Sequence, residues 1–389
     1  MASVQSPTLA KLMQAAGSLT NPEIDAWKKA GGKVIGYYCP FIPEELFIAA
    51  GFLPYRMRGV GSSGTELADA YFSDSNCCFV RNSFDQILRG EYKFLDGVVI
   101  GTGCDHVRRI FDNAVHAAVL PFIYLLDHPR TIGSSPAESD VILKYYCEQL
   151  SRLRGALDGH FGICINDADL QAAIVLCNKT RALQKQLYEL STVDNPPISA
   201  AERAAVMMAG ASMPKAIYNN YLQQLLTELG KATPLAGKPA TRLMLIGPAV
   251  EDPEFFALFD QINTSIVIDD TCFGARTVQG QVEAAALDPL LAIAKYQVQD
   301  FPFCPKINGA HASRLEFVTA MVAKYRVVGV VAEGYVACDA WGCSYALLNI
   351  AMKKAGIPFL HIDREYVHSQ AGQILTRLQA FTETIGGVL

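Results

Sequence analysis

Gly97–Arg109 reads GVVIGTGCDHVRR, and the fold follows from how this stretch is read. Val98, Val99 and Ile100 form a short apolar run, as in a strand covered on both faces. Gly101 and Gly103 let the chain turn sharply with no side chain in the way. Cys104 follows, and Asp105 is placed to N-cap a helix. A thiol at that point faces the positive end of a helix dipole, which favours thiolate, the form that binds a soft metal centre.

The same layout recurs on either side. Lys33–Tyr38 (KVIGYY) is expected to be a strand ending at Cys39, with Pro40 and Pro43 fixing the turn. Glu44–Ala50 then opens a helix with acids in its first turn. Leu53–Met57 reads as a second strand. Asp69–Arg81 (DAYFSDSNCCFVR) leads into a helix and carries Cys77 and Cys78. After Cys104 a helix runs to about Leu120, followed by the strand Phe122–Leu126. Strands alternating with helices argue for a parallel, doubly wound sheet.

From Ser135 to Gly230 the pattern turns helical. Ile142, Tyr146, Leu150, Leu153 and Leu157 share one helical face. Leu170, Ile174, Cys177, Leu183, Leu187 and Leu190 share another, after an Asn166 cap. Ser199 and Glu202 form a capping box, and Ser212 and Pro214 start a helix that stops at Gly230. Lys231–Thr241 (KATPLAGKPAT) reads as a linker. Arg242–Ile246 restarts the strand–helix alternation. Ser265–Ile268 leads into Cys272, and Val327–Val331 leads towards GYVACDAWGC, which carries Cys338 and Cys343. Pro358–Ile362 and a helix over about Gln370–Thr384 close the chain.

The expected fold class is therefore α/β: two doubly wound parallel-sheet domains facing each other across a cleft, with a helical middle domain. The expected divisions are residues 1–134, 135–240 and 241–389, with 1–31 as a polar, partly helical lead-in.

The sequence has 389 residues, of which 51% are hydrophobic and 18% charged, so it has ample apolar surface for more than one core. Its net charge is −5 and it has no basic block, which argues against nucleic acid as a partner. No signal-peptide pattern and no long apolar run stand out, so a cytoplasmic protein with no membrane span is expected. Eleven cysteines are many for that compartment, where disulfides are disfavoured. They call for core packing, redox chemistry or metal.

Ligands of open α/β sheets gather beyond the carboxyl ends of the strands. Cys39, Cys104, Cys272 and Cys338 each follow an expected strand, and Cys77 precedes a helix. Soft thiolates select zinc, copper(I) or iron–sulfur clusters. No histidine-containing zinc spacing and no paired CxxC motif is present, so scattered single cysteines fit a cluster between domains better than a zinc ribbon. Cysteine is also a small hydrophobe, and that bland role suits Cys147, Cys164 and Cys177, which lie in or beside helical patterns. Cys304, in FPFCPK, is left open. Adjacent Cys77 and Cys78 point apart, so one of the two is expected to ligate. Cys343 is open between ligand, supporting thiol and filler.

The stretches GYYCPFIPEELFIAAGFLPYRMRG, ADAYFSDSNCCFVRNSFD, FLDGVVIGTGCDHVRRIFDN and GVVAEGYVACDAWGC, with AGIPFLHIDREY and GQILTRLQAF after them, resemble the 2-hydroxyacyl-CoA dehydratase and benzoyl-CoA reductase family. The resemblance spans essentially the whole chain. It implies a low-potential [4Fe–4S] cluster held in a cleft by Cys39, Cys77, Cys104 and Cys338, with Arg81 in the C-x-x-x-R setting of Cys77. It implies a homologous sister subunit in a heterodimer, an ATP-dependent iron–sulfur activator that injects single electrons, and an acyl-CoA substrate. In such enzymes one electron turns a thioester into a ketyl radical anion that expels a hydroxyl, or enters an aromatic ring. Three cysteine ligands leave an iron open for substrate, whereas four close it, so Cys39 together with Cys338 suggests a relay subunit.

Cys78 and Cys343 depart from the family pattern. The extra Cys343 raises the related double-cubane [8Fe–9S] reductases, which act on small molecules as homodimers. A two-lobed small-molecule binding protein without redox chemistry is the alternative from another class.

Other residues carry weaker signals. Glu44 and Glu45 near Cys39 could act as acid or base, though acids at a helix start are commonly structural. His106 could donate to a cluster or sit in the core. Arg108 and Arg109 could face CoA phosphates or form surface ion pairs. Asp269 and Asp270 read as turn residues. GSSG and GPAVED form neither a P-loop nor a GxGxxG fingerprint, so no ATP is expected on this chain.

Overall fold

The computed structural model describes residues 6–231, 240–301, 304–367 and 370–386. Most of the expected linker lies outside these residues. Two four-stranded sheets, all parallel, organise the chain. The first contains β1 (Val34–Tyr37), β2 (Leu53–Arg56), β3 (Gly97–Gly101) and β4 (Ile123–Leu126), in the order β2-β1-β3-β4. The second contains β5 (Thr241–Ile246), β6 (Thr264–Asp270), β7 (Gly329–Tyr335) and β8 (Phe359–Arg364), in the equivalent order β6-β5-β7-β8. In each sheet the winding reverses at the first and third strands, and the crevice outside their carboxyl ends is where such sheets bind ligands.

The helices of the first half are α1 (Pro7–Ala16), α2 (Pro22–Lys29), α3 (Glu44–Ala49), α4 (Cys78–Leu88) and α5 (Asp105–Ala117). The helical middle is α6 (Pro136–Phe161), α7 (Asp167–Glu189), α8 (Ala200–Gly210) and α9 (Lys215–Leu229). The second half adds α10 (Pro253–Asp260), α11 (Pro289–Lys295), α12 (His311–Lys324), α13 (Asp339–Lys354) and α14 (Ala371–Gly386). Among the described residues, no helix is long and apolar enough to cross a membrane.

Both sheets are buried on two faces because alternate strand residues feed different cores. Ile35, Tyr37 and Val99 pack with Tyr146, Leu150 and Leu153 of α6 and Leu170 and Ile174 of α7. Val34, Val98 and Ile100 pack with Phe84 of α4 and Ile110 of α5. In the second sheet Met244, Ile246, Val330 and Ala332 meet Trp341, Leu348 and Met352 of α13, while Leu243, Leu245 and Val331 meet Phe255 of α10 and Leu378 of α14. Gly97 is needed where β3 runs beside the chain entering β4: a Cβ there would lie 2.8 Å from the carbonyl oxygen of Phe122.

The N-terminal segment is helical, as expected, but it is not the polar lead-in that was expected. Leu9, Leu12 and Ala15 of α1 are buried against Leu183 and Leu187 of α7, Val206 of α8 and Leu222 of α9. The apolar spacing of this short helix is what a docked amphipathic helix requires. The capping box of α8 forms as expected, with Ser199 and Glu202 bonding reciprocally, and Asn166 caps α7. At α5 the capping position belongs to Cys104 and Asp105 is the first helical residue, so the helix starts one place earlier than expected.

Candidate metal centre

The carboxyl ends of β1 and β3 place Cys39 and Cys104 at the first crevice. A Cβ on Gly103 would lie 3.7 Å from Cys39 Sγ, so the two strand exits touch. At the second crevice β7 delivers Cys338, and β6, on the far side of β5, delivers Cys272. Cys104 and Cys338 stand alike, each the N-cap of a helix that opens with aspartate. Cys77 caps α4, and Cys304 sits ahead of α12, so each lies on the crossover into its own third strand. The chain is bent into the left-handed region at Ala337 (φ 64°), which aims Cys338.

All six thiols—Cys39, Cys77, Cys104, Cys272, Cys304 and Cys338—line one mainly apolar cavity between the sheets, about 100 Å³ measured to the centres of water-sized spheres. Their electrostatic influence on one another sorts them into two sets, although Lys306 reaches thiols of both and Cys39 also approaches the Gly103 turn beside Cys104. Cys77 neighbours Cys338 and Cys104. Cys39 neighbours Cys304 and Cys272, which also neighbour each other. Each sheet's half of the chain gives two thiols to one group and one to the other. Among the described residues no three His, Cys, Asp or Glu side chains gather tightly enough for a single ion. The thiols ring a space instead, which suits a multi-atom inorganic centre.

Burial pushes the Cys39 thiol up to about 12, with Cys304 adding to it. Cys77 is also held high: its hydrogen bond with Cys338 pulls down, but Cys78 and burial outweigh it. Cys338 is raised by its bond with Cys77 and by burial. Ligation by these thiols therefore has to release protons. Cations stand ready to offset the charge. Arg276 Nη1 donates to Cys272 Sγ at 3.7 Å while its Nε donates to Asp270 at 2.8 Å. Lys306 lines the cavity with Cys104, Cys338 and Cys304, and, against burial, these thiols raise its pKa. Arg314 lies over Trp341, 5.3 Å from its ring centre, with Nε and Nη2 buried and unpartnered. Buried cations with spare donors around clustered thiols fit an anionic group.

His106 braces the site. The Cys77 backbone N–H donates to its Nδ1 at 2.8 Å, so the proton sits on Nε2, which points at Asp339 at 2.8 Å. It thus ties the Cys77 turn to the start of α13, beside Cys338, and does not line the cavity.

The remaining sequence candidates fall as follows. Cys78 is buried beside the cavity, 4.0 Å from the Arg364 carbonyl, and does not line it. Cys343 and Cys164 are exposed, and Cys147 is half-buried. Arg81 bonds Asp69 at 2.6 Å. Arg108 and Arg109 are exposed, and Arg109 pairs with Asp112 at 2.7 Å. Asp269 and Asp270 are buried strand-end residues rather than turn residues: Asp269 accepts from Tyr188 and from the Ala275 N–H, and Asp270 holds Arg276. Glu45 pairs with Arg181 and Glu44 with Lys215, each at 2.9 Å. Sequence reasoning missed Lys306, Arg276, Arg314 and Arg56. The visible signal for Arg56 was a cation inside the apolar run LPYRM.

Residues 39–385 match the model of the family described as 2-hydroxyglutaryl-CoA dehydratase, D-component. The beta subunit of lactoyl-CoA dehydratase from Anaerotignum propionicum is 24% identical over 368 residues, covering 94% of this chain and 96% of the relative. The beta subunit of (R)-2-hydroxyglutaryl-CoA dehydratase from Acidaminococcus fermentans is 26% identical over 366 residues, with 92% and 94% covered. A benzoyl-CoA reductase subunit from Thauera aromatica is 24% identical over 370 residues, with 92% and 93% covered. With nearly the whole of its two-sheet framework inside that match, the chain belongs to the 2-hydroxyglutaryl-CoA dehydratase, D-component family.

Proposed function

We propose that this chain is an iron–sulfur, electron-relaying subunit of a low-potential enzyme of the acyl-CoA dehydratase or benzoyl-CoA reductase kind. The reading rests on one observation: six thiols, separated by up to 299 positions between Cys39 and Cys338, line a single cavity. A centre bound there would supply single electrons at low potential. In this reading Cys39, Cys77, Cys104 and Cys338 would hold it, with Cys272 and Cys304 on the same cavity wall. Arg276 and Lys306 offset thiolate charge, while Phe41, Val107, Ile307 and Trp341 keep water away. The relatives' names, each a subunit of a dehydratase or reductase, support a sister subunit as partner. An ATP-hydrolysing activator as electron donor and an acyl-CoA as substrate belong to the same proposal, as does a cytoplasmic location.

A second reading is favoured by the split of the thiols into two groups of three. A single [4Fe–4S] cluster with Cys39, Cys77, Cys104 and Cys338 leaves Cys272 and Cys304 without a role. Two groups of three suit two linked cubanes, one per group, as in a double-cubane [8Fe–9S] reductase working as a homodimer. Anaerobic purification with iron and sulfide analysis separates the two. About four irons per chain supports the single cluster and about eight the double one. Colourless protein carrying only zinc contradicts both and returns the chain to a non-redox binding role.

A further inference from the structure

A second chamber adjoins the thiol cavity and shares Arg56 and Pro40 with it. It lies between the exit of β1, the start of α3, helices α7 to α9 and the Phe273–Phe301 segment. Its character is opposite to that of the thiol cavity. Tyr37, Glu44, Glu45, Thr180, Arg181 and Lys215 line it. Its volume, about 80 Å³ to the centres of water-sized spheres, is far too small for a coenzyme A thioester. At roughly 10–15 Å³ per water it has room for about six non-hydrogen atoms.

The charges lining it do not balance. Glu45 is taken by Arg181 and Glu44 by Lys215, each at 2.9 Å, and Tyr37 also donates to Glu44. Among the described residues no carboxylate pairs with Arg56. Its Nε donates to the Tyr38 carbonyl at 3.3 Å and its Nη1 to the Cys272 carbonyl at 2.5 Å. Its Nη2 is buried without a partner. The guanidinium lies over Phe273, 4.2 Å from the ring centre, and over Tyr37 at 6.0 Å; both rings line the chamber and neither lines the thiol cavity. Gln297, whose Nε2 donates to the Pro40 carbonyl at 3.5 Å, also lines the chamber and has a buried Oε1 without a partner among the described residues. Arg56 and Gln297 are each only 4% exposed. A buried cation with a spare donor calls for an anion, and a buried spare acceptor calls for a donor.

We propose that this chamber binds a compact carboxylate that also carries a hydrogen-bond donor, such as a short hydroxy or amino acid. The carboxylate takes Arg56 Nη2, and the hydroxyl or ammonium group donates to Gln297 Oε1. The bound molecule then sits one side chain away from the thiols. The site does not depend on the iron reading, because every residue it uses is outside the thiol set.

The test is a titration of the full chain, purified without oxygen, with glycolate, acetate and acetamide, followed by saturation-transfer NMR. Iron per chain is measured on the same sample, so failure of the iron reading and of this one are seen separately. Expected are saturable glycolate binding, weaker acetate binding and none by neutral acetamide. Arg56→Met should weaken glycolate about tenfold or more, the effect of losing a hydrogen bond to a charged group. Gln297→Met should abolish the preference for glycolate over acetate, about three- to tenfold, and leave acetate affinity and iron content unchanged. It keeps the test decisive if Arg56→Met does not fold. No saturable binding, acetamide binding as well as glycolate, or a preference unchanged in Gln297→Met overturns the proposal.

Discussion

The two sheets have the same strand order but end differently. In the N-terminal sheet the first and third strands both lead to thiols, Cys39 and Cys104. In the C-terminal sheet the third strand leads to Cys338, but the first leads to Gly247 and Pro248, and the second thiol, Cys272, follows the neighbouring strand. The crossovers correspond, with Cys77 before α4 and Cys304 before α12. One fold can thus place three thiols by two routes, and the result is a cavity with thiols from both sides. The ends also differ in charge. At the end of β6, Asp270 makes a fully buried ion pair with Arg276; at the end of β2, Arg56 bonds two carbonyls and lies over the Phe273 ring.

The largest expected effect breaks or confirms the equivalence of the thiols. Cys104→Ala and Cys304→Ala, one from each half of the chain, should each lower bound iron by about half or more, since a cubane missing one of three ligands is not retained. Iron analysis and the visible absorption of anaerobic protein measure this. If Cys304→Ala and Cys272→Ala keep all their iron while Cys104→Ala loses it, the halves are unequal and the four-cysteine cluster stands.

Stability sharpens the contrast in charge. Arg276→Met leaves Asp270 buried and unpaired, and should cost about 3–5 kcal/mol. Arg56→Met strands two carbonyls but no charge, and should cost about 1–3 kcal/mol. Urea unfolding of each variant gives both numbers, and equal losses would contradict the contrast.

The seam between the halves carries a pH dependence. Glu251, ahead of α10, accepts from the Gly59 N–H of the other half at 2.5 Å and from Tyr366. Burial raises its carboxyl to about 7, against the pull of Tyr366, Gly59 and Arg58. The folded protein therefore holds a proton that the unfolded chain has released, and stability falls as pH rises from about 4.5 through about 7. Glu251→Gln should remove up to ~3 kcal/mol of that slope, leaving the variant relatively more stable at pH 8 than at pH 5. Unfolding midpoints at both pH values, compared with the parent protein, provide the check; parallel profiles would exclude Glu251 as the cause.

The smallest effect concerns backbone strain. Cys104 follows a glycine, whereas Cys338 follows Ala337 at φ 64°. Ala337→Gly should stabilise by about 0.5–1 kcal/mol, the strain relieved less the freedom that glycine adds to the unfolded chain. A loss of stability would show that the alanine methyl has a packing role.

Much of this was legible in the sequence because it is local. Apolar runs ending in glycine or cysteine marked strands and their exits, and caps such as Asn166 and Ser199 marked helix starts. Cys272 was flagged by the strand before it, but Cys304 was not resolved: the Ala275–Asp300 stretch lacks one sustained period and combines a 3-10 turn, the short α11 and a π turn. Arg56 and Lys306 were missed because their partners are far away in sequence or are backbone carbonyls, which composition does not display. Arg276 was missed although its partners Asp270 and Cys272 lie only six and four residues before it, because nothing in the spacing shows that all three are buried together. His106 illustrates the same limit, since its partners Cys77 and Asp339 come from opposite halves of the chain.

Diffraction from anaerobically grown crystals, recorded at the iron absorption edge, tests the central claim most directly. The account predicts anomalous density inside the cavity between the sheets, bonded on one side by Cys77, Cys104 and Cys338 and on the other by Cys39, Cys272 and Cys304. Six ordered thiols around a cavity without iron density, in protein that was never exposed to oxygen, would contradict it.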